Sequence, residues 1–178
     1  ELLELQQFQD ALESRRTPSL GLRGGRIQRC PPLNSNCVST SSSTPDTYGP
    51  AWFTDSSTNR LNSASEKLKL AVLYTDPNAR VITTQTSPDG RSVYLAFACE
   101  GAFGEDYVEF LVIDQSSDTD VGEGPLLVTY RSAAKDVKYL YPFQVPITDF
   151  GAQEKRLKAI RESLKWPVVG CDLLECYE

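Results

Sequence analysis

Ser92-Val93-Tyr94-Leu95-Ala96-Phe97-Ala98-Cys99, followed a few residues later by Tyr107-Val108-Glu109-Phe110-Leu111-Val112-Ile113, is the stretch on which the fold turns. Val93, Leu95, Phe97 and Cys99 fall on one side of an extended chain, the period of a strand laid on a core. Gly101 and Gly104 enclose an apolar pair between the two runs and mark a turn or bulge. Upstream, residues 81–86 read as a strand and Pro88-Asp89-Gly90 as the turn that follows it. Downstream, residues 126–132 read as a fourth strand, reached through a Ser/Asp/Gly-rich loop. If the third and fourth strands form a symmetric hairpin centred near residue 120, Glu109 lies opposite Arg131. Both then occupy the face alternate to Val108 and Phe110. This predicts a structural ion pair that fixes the register.

Helices flank the strands. Ser63-Ala64-Ser65-Glu66 has capping-box spacing and precedes Leu68, Ala71 and Val72, a short helix that Pro77 closes. Residues 153–166 repeat apolar side chains at Leu157, Ile160 and Leu164, with Lys155, Arg156, Lys158 and Arg161 outward; Pro167 stops that helix. The expected class is α+β: a four-stranded antiparallel sheet with two helices on one face, preceded by an N-terminal helix and an extended arm. Three segments follow from this reading: a partner-binding helix and basic arm over 1–29, a disulfide-tethered extended segment over 30–65, and the α+β body over 66–178.

The appendage is uneven in charge. Residues 1–14 carry Glu1, Glu4, Asp10 and Glu13 and no base, whereas residues 15–29 carry five arginines and no acid. The whole chain has a net charge of −6, which disfavours nucleic acid as a partner. Leu2, Leu5, Phe8 and Leu12 recur at helical spacing, and a free helix this short needs something to dock on. The arm behind it is too rich in glycine, proline and charge to build a core. Leu2, Leu5, Phe8 and Leu12 are therefore expected in an apolar groove of another protein, with Arg15, Arg16, Arg23 and Arg26 near its acidic groups. Tyr48, Trp52 and Phe53 are expected to pin the Ser/Thr-rich stretch after Cys37 to the body. Tyr139, Tyr141 and Phe143, set among prolines, form either a partner surface or a lid on the sheet.

Cys30-Pro31-Pro32-Leu33-Asn34-Ser35-Asn36-Cys37 is a short loop that prolines and asparagines can close. Spacing favours two local bridges, Cys30–Cys37 and Cys171–Cys176, over cross-pairing between the ends; Cys99, in an apolar run, is left as a buried thiol. Paired cysteines and the absence of methionine suggest a processed protein of an oxidising compartment. No apolar run approaches the ~20 residues that span a bilayer. Without histidine, Ser-His-Asp and Cys-His arrangements are ruled out. Neither Cys pair is C-x-x-C, Asp118 to Glu123 only half resembles a calcium loop, and no phosphate-cradling glycine loop is present. No catalytic residue, metal or cofactor is assigned.

Four motifs occur in order: CPPLNSNCVS from Cys30, EDYVEF from Glu105, VTYRSAA from Val128 and DFGAQEKRLKAI from Asp149. In this order they resemble the domain-of-unknown-function 1499 family from about Cys30 to Trp166. Lys135 stands where that family places a second arginine, and residues 136–147 resemble an insertion before the last helix. The resemblance implies a plastid home, in the thylakoid lumen of an alga or related phototroph. The expected function is then a non-catalytic structural subunit, extrinsic to a photosystem (photosystem II before photosystem I) and held to its core subunits through residues 1–29. The alternative is a lumenal carrier of a small apolar ligand such as a pigment or lipid. An enzyme working through Cys171 and Cys176 is the weakest reading.

Overall fold

The computed structural model describes residues 2–55, 57–116, 124–143 and 145–170. The long apolar runs form an antiparallel meander of β3 (Arg80–Thr86), β4 (Ser92–Gly101), β5 (Gly104–Ile113) and β6 (Leu127–Ala134). β4 and β5 turn through Ala102 and Phe103, with Gly101 paired to Gly104. The sheet is larger than the four strands expected. β1 (Cys37–Ser39) and β2 (Trp52–Phe53) both pair with the outer edge of β6, giving six strands in the order β1-β6-β5-β4-β3 with β2 beside β1 along β6. The Ser/Thr-rich segment reads as a tether because its strands are only two and three residues long, below the length at which alternation is visible. A separate ribbon joins β7 (Tyr139–Leu140) to β8 (Val145–Pro146).

Helices α2 (Leu61–Thr75) and α3 (Ala152–Leu164) cover one face of the sheet. Their Leu68, Val72, Leu157 and Ile160 meet Val93, Leu95, Phe97 and Cys99 of β4 and Val108, Phe110 and Val112 of β5. Burying each large side chain there contributes about 1.5–3 kcal/mol. Trp52 is buried against Tyr130 and Phe110, with ring centroids 4.6 and 5.9 Å apart, and so pins β2 as expected; the Tyr48 side chain is exposed, and its backbone bridges to Ser39 of β1. The capping box at Ser63 is not used. The helix already begins at Leu61, and the Ser65 hydroxyl bonds back to the Leu61 carbonyl. At the start of α3, Asp149 does the capping: its Oδ1 accepts the Gly151 and Ala152 amides, at 3.1 and 3.3 Å.

β4 is buried on both faces. Tyr94, Ala96 and Leu111 point away from the helices and pack with Ile27 and Leu20 of the N-terminal arm. The arm is thus a layer of the fold. This corrects the expectation that residues 1–29 as a whole cannot bury themselves and are ordered only against another protein: the arm packs on its own sheet through Leu20 and Ile27. Only α1 (Leu2–Arg16) projects, with Leu2, Leu5 and Phe8 exposed and Leu12 half-buried. Among the described residues, no helix is long and apolar enough to cross a membrane.

Candidate functional site

β5 and β6 pair in the register that sets Glu109 opposite Arg131, and both side chains are buried beneath the arm. Arg131 Nη2 lies 2.5 Å from Glu109 Oε2, and Nε donates to the same oxygen at 2.7 Å. Glu109 Oε1 accepts the Tyr94 hydroxyl at 2.6 Å and the Gly21 amide at 2.9 Å. The remaining Arg131 donors turn to arm carbonyls, Nη2 to Ser19 at 2.6 Å and Nη1 to Arg29 at 3.1 Å. A buried ion pair is tolerable only when such extra hydrogen bonds complete its shell. Burial and the adjacent Glu109 charge push the Tyr94 hydroxyl well above its ordinary value, so it remains a proton donor.

A second polar cluster ties α3 to the sheet. Asp106 Oδ2 accepts Gln153 Nε2 at 2.9 Å and pairs with Arg156 Nη2 at 2.8 Å. Gln153 Oε1 in turn accepts the Ser132 hydroxyl at 2.5 Å and Arg156 Nη1 at 2.8 Å. Gly101 permits this arrangement, since a Cβ there would collide with the Asp106 carboxylate. Glu105, beside Asp106 in sequence, instead holds Arg80 at 2.7 Å on the surface. These carboxylates therefore serve packing and register. Burial pushes the Cys99 thiol up to about 12, which keeps it protonated. Among the described residues, no three His, Cys, Asp or Glu side chains converge as a metal-binding group.

Cys30 and Cys37 are joined by a disulfide, while Cys171 and Cys176 lie outside the described residues, as does the half-calcium loop at Asp118 to Glu123. Within the bridged loop, Asn34 and Asn36 are buried staples rather than mere turn formers. Asn34 Nδ2 reaches the Arg16 and Ala134 carbonyls at 3.0 and 2.7 Å, and Asn36 Nδ2 reaches that of Ile147 at 2.8 Å. The loop separates two open clefts. One, of about 800 Å³, is lined by Arg23, Arg26, Arg29 and Arg131, with Ile27 and Pro31 as apolar wall. The other, of about 920 Å³, is lined by Phe8 and Leu12 of α1, Pro31, Leu33, Tyr139 and Pro146.

The projected partner residues divide between these places. Arg15 is exposed, and Arg16 stacks on the Tyr139 ring at 4.4 Å, with its buried Nε lacking a hydrogen-bond partner. The Tyr139 hydroxyl donates to the Leu33 carbonyl, so this residue closes the second cleft. Tyr141 and Phe143 do not lid the sheet; they are 91% and 78% exposed at the tip of the β7–β8 ribbon. Sequence reasoning missed Tyr94, Gln153 and Arg156. The signal for Tyr94 was available, because the apolar run of β4 has no polar face and implies cover on both sides.

No protein-family profile matches this chain, and no solved structure matches it. The chain is similar to the Thylakoid lumenal 17.9 kDa protein, chloroplastic, of Arabidopsis thaliana: 33% identical over 147 residues, which cover 82% of this chain and 58% of that protein. The chain thus spans little more than half the length of that relative. The likeness agrees with the compartment expected from the paired cysteines and from the motif resemblance. The protein is located in the chloroplast thylakoid lumen.

Proposed function

We propose that this protein is a non-catalytic interaction subunit of the thylakoid lumen, extrinsic to a photosystem, with photosystem II before photosystem I. The observation that carries this reading is the apolar surface around the 920 Å³ cleft. Leu2 and Phe8 of α1 are 85% and 63% exposed, and Tyr141 and Phe143 stand out from the ribbon whose Tyr139 and Pro146 line the same cleft. Exposed apolar patches of this kind mark association sites. The lumenal relative supports the compartment, and the resemblance to the domain-of-unknown-function 1499 family stays part of the proposal through the order of its motifs.

The test is a Leu5→Gln, Phe8→Gln variant in thylakoids. Both side chains are exposed, so the fold is spared. The native protein is expected to sediment with photosystem II at fixed stoichiometry after a salt wash, and the variant to be released. A native protein that stays wholly in the lumenal supernatant overturns the reading. The same cleft favours a second one, a carrier of a small apolar ligand. That reading requires a pigment or lipid to co-purify with the native protein, measured by absorbance and mass spectrometry.

A further inference from the structure

We propose that the 800 Å³ arginine cleft is a docking site for an acidic peptide segment of a protein partner. Residues 23–26 form a two-residue hairpin: Arg23 and Arg26 exchange backbone hydrogen bonds at 2.9 and 3.2 Å around Gly24 and Gly25. Both glycines have positive φ, 58° and 74°, the backbone that a type I′ turn demands. Directly paired residues of an antiparallel bridge project from the same face, so both arginine side chains leave the hairpin on one side, and both line the same cleft. Like charges in that position repel. Arg29 adds a third positive charge to the same cleft, while the charge of Arg131 at its floor is already matched by Glu109.

Among the described residues, no carboxylate lines this cleft and none forms an ion pair with Arg23, Arg26 or Arg29. In a chain of net charge −6, such a cluster of bare arginines is a local inversion of sign. It costs repulsion unless an anion occupies it, and the forked guanidinium suits carboxylates held in pairs. The cleft is far larger than a single oxyanion and falls in the size range of clefts that enclose an extended ligand. Ser41 and Thr40 on its rim and Ile27 and Pro31 in its wall supply the mixed polar and apolar lining that a peptide backbone meets. A flat anionic membrane matches the surface less well, because the three charges surround one cleft and the rest of the molecule is acidic.

The experiment is fluorescence anisotropy of a labelled oligoglutamate peptide with the isolated full chain, against Arg23→Gln with Arg26→Gln. The control is Arg60→Gln with Lys69→Gln, which removes the same charge around α2, on the opposite face of the sheet. The native chain is expected to bind at low ionic strength and to lose affinity as salt is added. The hairpin pair of substitutions should weaken binding roughly tenfold or more, and the control pair should leave it within about twofold. Both arginines are exposed, so an unchanged unfolding curve accompanies the loss. Three results overturn the proposal: no binding by the native chain, equal weakening by the control pair, or binding of inorganic phosphate or phosphatidylglycerol vesicles without binding of the peptide. The outcome is independent of α1, because Leu5→Gln, Phe8→Gln leaves this cleft intact.

Discussion

Glu109 and Arg131 show how one pair of residues can set a whole layer. Each is buried at the centre of the sheet, and each turns its spare hydrogen-bonding capacity toward the arm. Replacing Glu109 alone by Ala leaves a guanidinium buried without its counter-charge and should cost about 3–5 kcal/mol in urea unfolding. Replacing both residues together, Glu109→Leu with Arg131→Met, should cost less than the sum of the single changes, because no bare charge remains. Single-variant losses below about 1 kcal/mol would reduce the pair to the worth of a surface bridge. Tyr94 adds a pH signature. Its hydroxyl is raised above the ordinary value of 10.0, so its contribution is complete below that pH and fades as pH rises beyond it. Cys99, raised from 9.0 to about 12, acts in the same direction over that interval. Stability measured against pH should therefore fall on the alkaline side, and Tyr94→Phe should fall less steeply there than the native chain. An identical alkaline limb in the two proteins would remove Tyr94 as its source.

At the scale of elements, α1 and the arm behave differently although they adjoin in sequence. The arm supplies Gly21, Ser19 and Arg29 backbone groups to the ion pair and Ile27 and Leu20 to the second apolar cluster. α1 is joined to the body mainly at its last turn, where the Arg15 and Arg16 carbonyls accept from Leu33 and Asn34. Removing residues 1–16 should lower stability by no more than about 1–2 kcal/mol. Removing 1–29 should abolish the cooperative transition or shift it by several times that amount, because it strips the cover from two buried charges. Circular dichroism during urea unfolding separates these outcomes. Equal stability of the two truncated chains would mean that the arm contributes nothing to the body. The long strands were legible because each is a run of seven or more residues rich in β-branched, aromatic and other apolar side chains and set off by turn residues, and α3 because its apolar stripe repeats at helical spacing. The start of α2 was misread at Ser63 because a capping pattern is a local cue, and the helix gains more by extending to Leu61, which packs on the main core.

For the whole molecule, the amino-acid sequence by itself determined the α+β class, the meander of four long strands, the register that opposes Glu109 and Arg131, and the closing of Cys30 on Cys37. Each depends on residues near one another in the chain, or on a hairpin whose two strands count outward from a single centre. Tertiary structure alone decided that residues 17–29 belong to the fold. Their composition forbids an independent core, but their backbone amide and carbonyl groups meet partners that lie 73 to 112 positions away, at Tyr94, Glu109 and Arg131. It likewise decided that Cys37–Ser39 and Trp52–Phe53 become strands, since segments so short carry no period and are held by the edge of β6. The arginine cleft has the same origin. Five arginines in fifteen residues announce a basic arm, but only the descent of that arm onto a buried ion pair leaves Arg23, Arg26 and Arg29 around one opening, because satisfying Arg131 fixes the backbone from Ser19 to Arg29.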